Sequence, residues 1–163
     1  MVVREWDERD VTQICEIYNY YVENTVITFE EEPVSINEMK NRLLSCTKMH
    51  SWLVCESEGM VVGYAYASRW KERIAYKNTS EATVYIRHGF SGNGYGNALY
   101  TALLEDLKNR SCHVVLGCIA LPNEASVRLH ERLGFKKVAH FKEVGFKFNQ
   151  WLDVGYWQVT FGA

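Results

Sequence analysis

Three glycines stand on alternate positions in the run SGNGYGNAL: Gly92, Gly94 and Gly96. The strand-like TVYIRH precedes them and the helix-like YTALLEDLKNR follows. Glycine lets backbone amides turn toward a ligand and approach it closely, and the first turn of a helix adds unpaired N–H groups at its positive end. A strand, a glycine turn and a helix start therefore make a seat for an anion, most often a phosphate. Spacing separates the common phosphate loops. G-x-x-x-x-G-K needs a lysine at the terminal phosphates, but Asn97 follows Gly96 and the next lysine is Lys108. G-x-G-x-x-G needs a third glycine where Asn97 stands, and an acid about 20 residues further on, near Leu116, where none occurs. Both nucleotide readings fail. Cys112 and His113 are metal-ligating types, but neighbours on a strand point to opposite faces. The five cysteines (Cys15, Cys46, Cys55, Cys112, Cys118) contain no CxxC pair. Neither a disulfide framework nor a thiolate metal site is expected, and buried thiols are the reading.

The elements that must position the glycine turn are legible in outline. VVREW reads as a first strand, and Asp10 as the cap of a helix carrying Ile14, Ile17, Tyr18 and Tyr21. Ser35 and Glu38 have capping-box spacing ahead of Met39, Leu43 and Leu44. WLVCES and MVVGYAYASRW form a hairpin about Glu58-Gly59. The helix after the glycines aligns Tyr95, Leu99, Leu103 and Leu107 on one stripe. HVVLGCIA has the apolar run of a strand buried on both faces. Asn123 caps ASVRLHERL, which Gly134 ends, and FKKVAHFK and WLDVGYWQVTF supply two more strands. The expectation is a mixed α/β chain of about seven strands.

Whole-chain numbers bound the function. A length of 163 residues fits one domain, taken here as residues 1–163, with a core of its own. A formal net charge of -2 offers nucleic acid or an anionic membrane no electrostatic handle. No apolar run approaches the roughly 20 residues that cross a bilayer, and MVVREWDERD has no signal-peptide core, so the cytoplasm is the expected compartment.

The glycine run, with N-A-L behind it, resembles the acyl-CoA loop of the GCN5-related N-acetyltransferases, the GNAT superfamily. IYNYYVENTVITFEEEP, RWKERIAYKNTSEATVYI, LPNEASVRLHERLGF and GFKFNQWLDVGYWQ occur in order along the chain. Together they resemble the phosphinothricin N-acetyltransferases and the related methionine-sulfoximine and amino-acid acetyltransferases, from about Arg4 to Phe161. The resemblance implies a GNAT fold, acetyl-CoA as co-substrate, a small amino-acid-like acceptor, no metal, and a homodimer to which GYWQVTF contributes.

Acetyl transfer from a thioester to an amine needs a neutral amine, a donor for the developing oxyanion and a proton for the leaving thiolate. The resemblance assigns residues to these tasks. Glu81 matches the family's general base. Val84, Tyr85 and Ile86 match the strand that pairs with the pantetheine arm and holds the thioester carbonyl, and they also suit a plain core strand. Gly92, Asn93, Gly94, Tyr95, Gly96 and Asn97 offer amides to the pyrophosphate. Asn123 matches a cofactor-contacting asparagine and is equally a helix cap, with Ser126 a further cofactor contact. His130 stands where many members of the superfamily place a tyrosine that protonates the thiolate, and a packed helix histidine is the alternative.

A zwitterionic acceptor calls for cations and an aromatic wall. Phe29, Lys71, Arg73, Tyr76, Lys147 and Trp151 lie in blocks shared with the family, and each also suits a surface charge or a core aromatic. The sequence departs from the family pattern where Ser91 replaces Gln or Arg, and again where Gly92 replaces a frequent basic residue. The pyrophosphate seat is thus expected to consist of amides alone. Two other readings remain open here: an acetyltransferase for an aminoglycoside, polyamine or protein terminus, and an acetyl-CoA-binding module without turnover.

Overall fold

The strands are dense in Val, Ile and Tyr, residues that favour a pleated, half-buried surface. They are β1 (Val2–Glu5), β2 (Trp52–Ser57), β3 (Met60–Arg69), β4 (Thr79–Ile86), β5 (Val114–Leu121), β6 (Lys136–Lys147) and β7 (Gln150–Thr160). The helices are α1 (Val11–Asn24), α2 (Ile36–Cys46), α3 (Tyr95–Asn109) and α4 (Glu124–Arg132). The computed structural model describes residues 1–46 and 50–162. All seven strands join one sheet in the order β1-β2-β3-β4-β5-β7-β6. Every pairing is antiparallel except β4 with β5, the pair that needs the α3 crossover.

Period-2 alternation sends Tyr64 and Tyr85 to one face, where Ile14, Ile17 and Val22 of α1 and Met39 and Leu43 of α2 cover them. Ala65, Ala82, Val115 and Ile119 meet α3 on the other face. Leu99, Leu103 and Leu107 are at most 1% exposed, so the predicted stripe is the face α3 buries. At about 1.5–3 kcal/mol per fully buried side chain, that stripe fixes the helix whose first turn completes the glycine loop.

Some details differ from the sequence expectations. Asp10 stands at the N-cap position of α1 but makes no side-chain cap bond there, and Asp7 caps the 3-10 turn Glu8–Asp10 before it, accepting from Arg9 N at 2.9 Å. Asp10 is buried instead, holding the Arg4 guanidinium at 2.7 and 2.9 Å. The strand begun by FKKVAHFK runs on through Lys147, and GYWQVTF lies inside the sheet between β5 and β6, leaving β6 at the edge. Of the thiols, Cys15 and Cys55 are buried, Cys46 and Cys112 half-buried and Cys118 exposed. Ser35 Oγ accepts from Glu38 N at 3.1 Å, and Gly134 takes φ 88° after α4, both as the caps predict.

Candidate active site

β4 and β5 pair over only three rungs: Thr79 with Val114, Ser80 with Val115 and Glu81 with Leu116. Beyond them β4 stays on β3 while β5 stays on β7, so the two strands part. The wedge between them holds a cavity of about 50 Å³. Ala82, Thr83, Val84 and Tyr85 line it from β4, and Cys118, Ile119 and Ala120 from β5. Ile27, Tyr100, Asn123, Ser126 and His130 close it. The Ala82 carbonyl points into this gap, because the Tyr100 hydroxyl donates to it at 2.9 Å. Backbone direction repeats every second residue. Val84 therefore turns its own N–H and C=O into the same gap, with no β5 residue opposite.

The β4 end leads to the glycine loop. Gly89, Gly92 and Gly94 have φ of 83°, 87° and 82°, the left-handed region that glycine enters at little cost. Gly94 caps α3, and the first helical bond runs from Ala98 N to the Gly94 carbonyl at 3.0 Å. The N–H groups of Tyr95, Gly96 and Asn97 are thus the unpaired donors of the first turn. Ser91, Gly92, Asn93 and Gly94 are exposed, and no side-chain cation belongs to the loop itself. Arg87, just before it, is turned away onto the Val61 carbonyl at 2.9 Å and onto Glu16.

Glu81 sits at the apex where the strands part. It is half-buried, and burial raises its carboxyl pKa above the ordinary range. Burial is the main reason that Tyr66, Tyr100, Cys118 and Tyr156 hold their protons, the Tyr66 hydroxyl rising to about 12, and the Glu81 charge adds to it at each of them.

His130 is 3% exposed, so burial depresses its pKa. Its Nδ1 lies 2.7 Å from the Ser126 carbonyl, which assigns a proton to Nδ1, and its Nε2 lies 3.0 Å from the Tyr100 oxygen. Proton counting gives this chain two states. With a neutral ring, Nε2 accepts the Tyr100 proton; with a charged ring, Nε2 donates to Tyr100, whose proton then goes to the Ala82 carbonyl. The close approach needs Gly117, where a Cβ would lie 2.3 Å from Nε2. Asn123 caps α4, its Oδ1 accepting from Ser126 N at 3.2 Å.

Beside Glu81, at Thr79 and its strand partner Leu116, lies a cavity of about 480 Å³ that Lys71 and Tyr76 also line. The remaining acceptor residues named from sequence do not join them. Lys147 is 1% exposed and spends its ammonium on the Val22 and Thr28 carbonyls at 2.7 and 2.9 Å, which ties β6 to the end of α1. Phe29 packs on Gly145, where a Cβ would lie 2.4 Å from its ring. Arg73 is exposed and outside the cavity lining. Trp151 lines a separate cavity of about 640 Å³ with Arg128 and Asp153. Sequence reasoning passed over Tyr100, Cys118 and Tyr156. Tyr100 looks like one more core residue of α3, and the other two converge only through the β5–β7 register, which sets Cys118 opposite Tyr156.

A splayed parallel strand pair, an amide loop and a carboxylate at the apex can be set against known families. The description "Acetyltransferase (GNAT) domain" matches residues 3–155. The chain belongs to the GNAT acetyltransferase family. Among curated relatives of this GNAT chain, a phosphinothricin N-acetyltransferase of Streptomyces viridochromogenes is 40% identical, covering 98% of this chain and 87% of its own length. An L-methionine sulfoximine/L-methionine sulfone acetyltransferase of Salmonella typhimurium is 33% identical, covering 98% and 94%. Among solved structures, a GNAT superfamily phosphinothricin acetyltransferase of Sinorhizobium meliloti, in complex with acetyl-CoA, superposes with a TM-score of 0.96. It is 34% identical and covers 99% of this chain and 88% of its own. The seven-stranded mixed sheet flanked by four helices is thus a GNAT fold.

Proposed function

We propose that this acetyltransferase uses acetyl-CoA to acetylate the α-amino group of phosphinothricin, methionine sulfoximine or a related small amino acid. The observation that carries the reading is the β4–β5 wedge with Glu81 at its apex, between a narrow backbone-edged cleft and a wide cavity. The residues present fit the donor. Val84 offers an unpaired N–H and C=O for a pantetheine amide, and the open space beside Gly92 and Gly94 lets phosphates reach the α3 amides. When bound, acetyl-CoA supplies the acetyl thioester.

Every other task falls to the chain. Tyr85 and Ile86 continue the β4 edge beyond Val84, and Gly92 to Asn97 hold the pyrophosphate through amides and the helix dipole. Asn123 and Ser126 border the thioester end. Glu81, its pKa raised by burial, takes the proton from the amine directly or through water, so that a neutral nitrogen attacks. Starting from a charged ring, Tyr100 gives its hydroxyl proton to the departing thiolate and His130 Nε2 replaces it, which leaves Tyr100 protonated and His130 neutral, the state that burial favours. Lys71 and Tyr76 hold the acceptor from the far side. Attack is direct, within a ternary complex.

Residues 1–163 act as one GNAT domain. The exposed Val144, Phe146 and Phe148 favour a homodimer built on the end of β6 rather than on GYWQVTF. The cysteines are free, which suits a reducing cytoplasm. The test is acetyl-CoA-dependent thiol release over a panel of amines. Release with α-amino acids is expected, and activity confined to aminoglycosides, polyamines or peptide N-termini overturns the reading.

A further inference from the structure

The cavity on the acceptor side carries information that the acetyltransferase assignment leaves unused. It lies against the reacting carboxylate by strand register. Glu81 is paired with Leu116, which lines the cavity, and Thr79, two residues before Glu81 on the same face, lines it too. Tyr156 reaches the cavity from β7, opposite Cys118, which lines the cofactor wedge. An amine at this end stands beside the apex, so the rest of the acceptor must extend into the cavity.

Charge counting then limits what the acceptor is. Lys71 is the one cation among the described residues that line the cavity, and there is no carboxylate. Its ammonium is held over the Trp70 ring at 4.8 Å and the Tyr76 ring at 5.9 Å, which fixes it at one end. One ammonium balances one carboxylate. The opposite walls are carbon: Val114, Leu116, Val138, Ala139 and Phe141. Thr79, Tyr156 and Gln158 also line the cavity, but they are uncharged. A second anionic group on the acceptor would leave water with no cation to balance it, which is costly, whereas an alkyl, thioether or phenyl group gains by moving onto the carbon walls.

We infer that this chain's preferred acceptor is an α-amino acid with an uncharged, apolar side chain. Lys71 takes the α-carboxylate, and the side chain lies against Leu116, Val138 and Phe141. The inference rests on the N-acetyltransferase reading of the site and narrows its substrate.

The experiment measures thiol release by the full-length protein with acetyl-CoA. L-methionine, L-leucine and L-phenylalanine are set against L-glutamate and L-phosphinothricin. The apolar group is expected to have kcat/KM higher by about tenfold or more. Val138→Arg, at an exposed β6 position, brings a second cation to the wall and should shift the phosphinothricin-to-methionine ratio of kcat/KM upward by about tenfold. Lys71→Met should erase most of the preference for methionine over methioninamide, which lacks the carboxylate. Equal or better turnover of phosphinothricin or glutamate by the parent protein overturns the inference and leaves the acetyltransferase reading standing. An unchanged ratio in Val138→Arg also overturns it. Thiol release from no amino acid at all overturns both.

Discussion

Two cavities flank Glu81, one reaching Thr79 and Leu116 and the other Ala82, and they are built in opposite ways. The wedge between β4 and β5 is narrow, about 50 Å³, and its edge is backbone: the Ala82 carbonyl, the Val84 amide and carbonyl, and then the amides of the glycine loop. The cavity proposed for the acceptor is wide, about 480 Å³, and is walled by side chains from the Trp70–Tyr76 segment and from β4, β5, β6 and β7. A backbone-edged site follows from topology, because any sequence that splays these strands presents the same polar groups. A side-chain-walled site changes with every substitution. One fold can therefore keep its donor while the acceptor varies.

Substitutions at the point of contact and on the wedge side test this contrast. Glu81→Gln, between the two cavities, should lower kcat by about a hundredfold or more. It should leave acetyl-CoA affinity in a titration unchanged and remove the acid limb of the kcat/KM profile. That limb lies above the ordinary carboxylate range, since burial raises the Glu81 pKa. The stability sign is the reverse of the activity sign. A carboxyl with a raised folded-state pKa favours folding when protonated, and that contribution is lost as pH rises from its unfolded toward its folded pKa. Glu81→Gln should therefore melt at a higher temperature than the parent at neutral pH. A drop in acetyl-CoA affinity would mean that Glu81 belongs to the wedge rather than to the chemistry.

Tyr100→Phe keeps the ring and removes the hydroxyl that joins Ala82 to His130. The expected loss is about tenfold in kcat with little change in either KM, and an unchanged kcat removes the relay. Gly94→Ala puts a Cβ at φ 82°. The space is open, so strain of about 1 kcal/mol is the whole cost, seen as roughly fivefold weaker acetyl-CoA binding if the loop must keep that turn. The smallest effect is expected for Ser91→Arg. A cation added to a loop of amides should tighten acetyl-CoA binding about threefold at low salt and lose that gain as ionic strength rises. No gain at low salt would show that the amides already satisfy the phosphates.

Local and repetitive features were legible in the sequence. The α3 stripe Leu99, Leu103 and Leu107 packs as its spacing requires, Asn123 and Gly134 bound α4, and the Glu58-Gly59 turn closes β2 on β3. The glycine turn between β4 and α3 was legible because backbone conformation follows from residue type. The acceptor side was not. Lys147 is a surface lysine by type, and only the packing of β6 against α1 drives its ammonium into two carbonyls. Trp151 and Phe29 belong to family-like blocks, yet they point to separate places.

By itself the sequence determined the family, the order of elements, the caps at Ser35, Asn123 and Gly134, and a glycine turn with no side-chain cation of its own. Each of these depends on neighbours a few residues apart or on blocks in linear order. Only the tertiary structure decided where β4 and β5 part, that Gly117 admits His130 to Tyr100, and that Lys71 is the single cation among the described lining residues of the wide cavity. Those facts come from strand register and from contacts between residues 30 or more positions apart, such as Tyr100 with His130. Such distances follow from packing the whole core, not from any local preference of the chain.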